Sequence, residues 1–190
     1  MRRFKSHRYL IAGAALAAAS MVAGACGAAE LVLGGGMAEG CYKAARANST
    51  DRASLDLCTQ AVEQEPLSTR DLSATLVNRS VILLGRREFE AAEHDLDRAI
   101  SLRPGSAEAY VNRGAARLGL KQYRDAIADL DRGLALGPSE PAKAWYDKGL
   151  AYEDLGDLQE AYNDYKKASE LRPEWQLPKD ELKRFTVKQG

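Results

Sequence analysis

The feature that most constrains this chain is a period. The stretch TLVNRSVILLGRREFEAAEHDLDRAISLRP, Thr75 to Pro104, returns as AYVNRGAARLGLKQYRDAIADLDRGLALGP, Ala109 to Pro138. Asn78 and Asn112, Phe89 and Tyr123, Ala92 and Ala126, Leu96 and Leu130, and Pro104 and Pro138 all stand 34 residues apart. A third copy, AWYDKGLAYEDLGDLQEAYNDYKKASELRP, runs from Ala144 to Pro173 after one extra residue. Self-similarity at this spacing marks a stack of small supersecondary units, not one globular core.

Each copy reads as two amphipathic helices joined by a short turn, at Gly85 to Glu88, Gly119 to Gln122 and Gly156 to Asp157. Small residues at the eighth and twentieth positions let two backbones approach. Large apolar residues at the fourth, seventeenth and twenty-fourth fill the space beside them. The proline after each second helix stops it and starts the next unit. One such unit cannot bury its apolar faces alone, so neighbours must stack into a solenoid.

The period and these residue types resemble the tetratricopeptide repeat. The third copy carries the pattern most fully, in Trp145, Gly149, Tyr152, Gly156, Ala161, Tyr165, Ala168 and Pro173. The second has Tyr110, Gly114, Ala126, Leu130, Gly133 and Pro138; the first has Leu76, Ser80, Ala92, Leu96, Ala99 and Pro104. The departures at Ser80 and Gly133 exchange one small residue for another. The resemblance implies an all-α fold, with helix-turn-helix repeats over 71–104, 105–138 and 140–173 stacked as a right-handed solenoid. Residues 174–190 then read as a capping helix and tail, with Trp175, Leu182 and Phe185 covering the open face of the last repeat.

Setting Pro66 at the terminal position of the repeat gives residues 37–66 the register of a degenerate first unit. Cys41 then falls at position seven and Cys58 at position twenty-four, on the facing surfaces of one hairpin, where a disulfide fits without moving the backbone. Two buried free thiols are the other reading. Zinc lacks ligands, because His7 lies in the leading segment and His94 two units away, and the CxxC spacing of a redox pair is absent.

Ahead of the repeats, MRRFKSHR carries four basic and no acidic residues, and the apolar run YLIAGAALAAASMVAGA follows it. That is the pattern of an export signal, residues 1–29, with small residues suited to cleavage after Ala25 or Ala29. An uncleaved anchor over Tyr9 to Ala29 and a lipidated Cys26 are the alternatives. Export would place Cys41 and Cys58 in an oxidising compartment, which favours the disulfide. Residues 30–36 read as a flexible lead, and their three glycines lack the context of a phosphate loop. From Glu30 onward 23 Lys and Arg stand against 27 Asp and Glu, about −4 by charge counting. This balance gives no electrostatic reason to bind nucleic acid.

Catalytic constellations are missing. Beyond His7 there is one histidine, His94, which leaves no multi-histidine metal site, and no His-dependent triad is read around it. Glu90, His94 and Asp97, and the pairs Asp129/Asp131 and Asp154/Asp157, read as solvated helix or turn charges. No cofactor is expected. The resemblance puts the first helix of each repeat on a concave face, and its lining is Val77, Asn78, Val81 and Leu84, then Val111, Asn112, Ala115 and Leu118, then Tyr146 and Asp147. Such a groove suits an extended peptide or partner helix, its two amides pairing with backbone and its Val and Leu with side chains. The chain's own tail filling the groove is the competing reading. Clamping of a C-terminal carboxylate, known in this family, is disfavoured, since of Val77, Val81, Asn112, Lys143 and Asp147 only Asn112 and Lys143 fit it.

The sequence therefore points to an exported bacterial protein of the periplasm, or secreted, acting as a non-catalytic adaptor or assembly scaffold for a protein or peptide partner. Membrane contact is expected only if Cys26 is lipidated or the signal is retained. A lipid-anchored scaffold and an accessory subunit of an envelope enzyme are the alternatives.

Overall fold

Helices begin where the sequence supplies a side chain for the free amides of a first turn. Asp51 accepts from the Ser54 N–H at 2.8 Å, Ser68 from Asp71 at 3.1 Å, Ser106 from Ala109 at 3.3 Å and Asp157 from Glu160 at 3.4 Å. The computed structural model describes residues 8–11, 27–32 and 36–188. Among them, β1 (Arg8–Ile11) precedes α1 (Met37–Arg46), α2 (Arg52–Gln64), α3 (Thr69–Gly85), α4 (Phe89–Leu102), α5 (Ala107–Gly119), α6 (Tyr123–Leu136), α7 (Pro141–Leu155), α8 (Leu158–Leu171), α9 (Gln176–Arg184) and β2 (Phe185–Lys188). The fold is an all-α repeat solenoid in which α1/α2, α3/α4, α5/α6 and α7/α8 are hairpins and each hairpin packs on the next.

The hairpin turns obey the repeat in their backbone. Arg87, Lys121 and Gly156 occupy the corresponding turn position and all have positive φ, at 64°, 62° and 82°. Only the third repeat fills it with glycine, the residue that adopts this conformation without strain. Close helix approach explains a second glycine: a Cβ on Gly149 would lie 2.6 Å from the Tyr165 ring.

Ion pairs follow the same period. Arg79 grips Asp95 with two bonds of 2.7 and 2.6 Å, and Arg113 grips Asp129 with two of 2.8 and 2.7 Å. Arg113 also reaches back to Asp97 at 2.7 Å and Lys148 to Asp131 at 2.9 Å, tying each first helix to the preceding repeat. Asp129 is therefore not a solvated helix charge, since it is buried and also accepts from Arg117 at 2.8 Å. Its place in the sequence conceals this, because the partners lie 16 and 12 residues away on another helix.

The carboxyl end differs from a plain capping helix. α9 stops at Arg184 and the chain continues as β2, antiparallel to β1 with Arg8 opposite Lys188. Phe185 is buried beside Tyr162 and Tyr165, while Trp175 and Leu182 pack on the same cluster over the third full repeat. The export reading of residues 1–29 lies mostly outside the described residues. Its described parts are β1 and the segment from Gly27, and Cys26 lies outside them.

Candidate functional site

The first helices of the three full repeats, α3, α5 and α7, turn one equivalent position toward the same channel. It is occupied by Asn78, Asn112 and Asp147, and each is fully buried or nearly so. What buries the first two is the chain itself. Residues 27–32, GAAELV, lie along the groove, so the end of the expected signal, 27–29, and the start of the lead expected to be flexible, 30–32, are held in place by Asn78 and Asn112. We call it the strap.

Asn78 reads the strap backbone in both directions. Its Oδ1 accepts the Glu30 N–H at 2.8 Å, and its Nδ2 donates to the Glu30 carbonyl at 2.8 Å. An amide side chain can do this because it carries a donor and an acceptor in one plane. One repeat on, Asn112 Nδ2 donates to the Ala28 carbonyl at 3.2 Å. The strap thus advances two residues per repeat and runs opposite to the repeat order. Two residues is the period with which an extended chain returns a side chain to one face.

The inward side chains follow that alternation. Ala28 and Val32 are buried, whereas Leu31 is 51% exposed. Val32 packs with Ala38, Ala61 and Ala74 of α1, α2 and α3. The Glu30 carboxylate accepts from Arg103 Nη1 and from Ser106 Oγ, the latter at 2.9 Å. Arg103 closes α4 and Ser106 caps α5, so the carboxylate sits at the positive end of a helix with a cation beside it. Gly27 lies so close to Asn112 that a Cβ there would fall 2.2 Å from its Oδ1.

The third rung is chemically different. Asp147 is 1% exposed, and its Oδ1 has no hydrogen-bond partner among the described residues; neither has Asn112 Oδ1. Both line a small enclosed space with Gly27, Val111, Glu140 and Lys143. Burial pushes the Asp147 carboxyl up to about 8, against a smaller opposing pull from Lys143. A larger cavity of about 670 Å³ lies along the other side of the strap, between Tyr42 and Arg46 of α1 and Lys143, Arg172 and Trp175.

The residues expected to line an open groove are all buried, and they divide into two sets. Asn78 and Asn112 meet the strap, and Ala115 and Asp147 border the small cavity beside it. Val77 and Leu84 belong to the core shared by the first hairpins, Val111 packs with Leu130 and Ala144, and Leu118 with Ala126 and Ala151. Val81 is 2% exposed. Tyr146 lies under Trp175, ring centroids 4.9 Å apart, and against Tyr165. A first helix in this stack faces a neighbouring helix on both sides, so less of it is free for a ligand than a single-repeat register suggests. Glu30, Arg103 and Ser106 were missed. Their signal is thin: Glu30 is the one charged residue between Arg8 and Glu39, and Arg103 and Ser106 flank a proline that reads as mere punctuation.

Cys41 and Cys58 are joined in the structure, with Cα atoms 4.8 Å apart and both residues fully buried between α1 and α2. No group of three or more His, Cys, Asp or Glu among the described residues is placed to hold a metal ion, and the His94 side chain is 82% exposed. Among the described residues no helix is long and apolar enough to cross a membrane.

Comparisons with known proteins agree with this architecture. Tetratricopeptide-repeat profiles match residues 78–141 and 142–174. No curated protein sequence matches the chain. Among solved structures, the TPR domain of Arabidopsis OM64 is similar at 26% identity and TM-score 0.58, covering 62% of this chain and 96% of that one. MamA from Desulfovibrio magneticus RS-1 is similar at 25% identity and TM-score 0.61, covering 78% and 82%. The second TPR domain of human RPAP3, solved with the HSP70 peptide SGPTIEEVD, is similar at 26% identity and TM-score 0.52, covering 57% and 89%. With the repeat period, the stacked hairpins and profiles matching 78–174 in agreement, the chain belongs to the tetratricopeptide-repeat family.

Proposed function

We propose that this protein is a non-catalytic interaction module that takes an extended segment of a protein partner in its concave groove, as an adaptor or assembly scaffold of the bacterial envelope. The observation that carries the reading is the double hydrogen bond between Asn78 and the backbone of Glu30, which recognises extended chain regardless of side chain. The peptide bound by the human RPAP3 domain supports it by likeness of fold. The envelope location rests on the export pattern of the leading residues.

The test is quantitative affinity capture from envelope extract with the wild-type chain and the Asn78→Ala/Asn112→Ala variant, each shown to be folded. Loss of specific captured proteins with the variant supports groove binding. Equal recovery by both rules it out. Amino-terminal sequencing of the purified native protein tests export, with Cys26 as the first residue if the whole strap is retained and Glu30 if cleavage removes Gly27 and Ala28 from it.

A further inference from the structure

Resting on that groove reading, we infer that the site is selective for the sequence pattern Gly-Ala-x-Glu-x-Val, and that the chain's own strap is a tethered copy of the ligand which an incoming segment of this pattern must displace. Four positions of the strap are individually constrained. The first favours glycine, because a Cβ at Gly27 would meet the buried Asn112 amide at 2.2 Å and force it to shift off the strap. The second is small, since Ala28 is 7% exposed and held through its carbonyl. The fourth needs a carboxylate, to which Arg103 and Ser106 donate. The sixth is β-branched and apolar, Val32 among three alanines. The third and fifth are unconstrained: Ala29 borders the large cavity and Leu31 is half exposed.

Backbone pairing alone would accept any extended chain, so the selectivity lies in the Glu30 pocket. A charge-assisted pair to a buried-edge guanidinium is among the stronger polar contacts, and a cation in place of the carboxylate would face Arg103 unpaired. The tether gives the strap a high effective concentration, and any free segment binds only in proportion to the time the strap is out. The cavity beside the strap leaves open space along which a competing chain can start to pair.

The experiment uses the full chain and a fluorescent peptide Gly-Ala-Ala-Glu-Leu-Val-Leu, read by anisotropy. Glu30→Lys removes the strap's own carboxylate and leaves every groove residue intact. Gly27→Val crowds the Asn112 amide and weakens the other end of the strap, and serves if the first variant folds poorly by circular dichroism. The expected result is that either folded variant binds the peptide about tenfold or more tighter than the wild type. The same peptide with Lys at its fourth position should bind about tenfold or more weaker than the Glu peptide. Equal binding to wild type and both variants means the strap does not compete, and overturns the inference. Equal binding of the Glu and Lys peptides, still abolished by Asn78→Ala, also overturns it, while leaving the broader groove reading standing. No binding to either folded variant overturns the inference as well.

Discussion

Replacing Asp147 by Asn should stabilise the protein, increasingly as pH rises. Asp147 is 1% exposed and one of its oxygens has no partner among the described residues. Burial raises its carboxyl from 3.8 to about 8, opposed in part by Lys143, with Glu140 bordering the same cavity. The unfolded chain ionises near the lower value and the folded chain near the higher one. The folded state is thus the one that binds the extra proton, and its stability falls as pH rises from the unfolded value toward the folded one. At 1.36 kcal/mol per pH unit of this window, moving from about pH 5 to about pH 7.5 removes about 3 kcal/mol. Asparagine keeps the shape, carries no charge and abolishes that slope. Urea unfolding of both proteins at the two pH values measures it: the variant's advantage should grow by about 3 kcal/mol between them. An advantage that stays constant within about 0.5 kcal/mol would show that the folded carboxylate has a charge partner offsetting its burial, and the desolvation reasoning would be refuted.

Three further outcomes follow from the geometry. Thiol alkylation without reductant should leave the mass at Cys41 and Cys58 unchanged and add two labels after reduction; removing the 17-residue bridge should cost about 3 kcal/mol, and two labels in the unreduced protein would rule the bond out. Lys121→Gly should raise the urea midpoint by the equivalent of about 0.5–1 kcal/mol, because the left-handed turn at φ 62° strains a side-chain-bearing residue, and no gain means the strain is relieved elsewhere. Arg113→Met should cost about 3 kcal/mol by leaving Asp129 buried and less well paired, and Arg113→Met/Asp129→Leu should recover much of that in thermal unfolding.

The repeats were legible because a solenoid writes its packing locally: each small or large position recurs with the helix pair that needs it, as with Gly149 against Tyr165. Asn78 and Asn112 were legible as groove residues for the same reason. The strap was not. GAAELV has no period long enough to read, and its structure comes from contacts made tens of residues away, Glu30 with Asn78 and Arg103. Flanking glycine and alanine suggested flexibility, whereas small residues were what the crowded passage beside Asn112 requires. The exposed concave face was misread because position alone does not say which side of a first helix the next repeat covers: Val111 and Leu118 turned out to pack against Leu130 and Ala126. β2 was hidden too, since its partner β1 lies at the opposite end of the chain.

The change from Asn to Asp at the third rung limits how far the groove can read. Asn78 and Asn112 can offer a donor and an acceptor to a peptide backbone, whereas an ionised carboxylate offers acceptors only. Asp147 therefore cannot repeat what Asn78 does to Glu30 unless it holds a proton, and its burial favours that form around neutral pH. Beside it, Tyr146 is covered by Trp175 and the capping end of the chain, which closes the face that the earlier repeats turn toward the strap. The third full repeat thus unites two tasks that pull its sequence away from its neighbours: it carries the cap, and it ends the backbone-reading surface. A ligand following the strap's register is read by two amides, one guanidinium and one hydroxyl, and anything that extends beyond Gly27 must satisfy a buried carboxyl group.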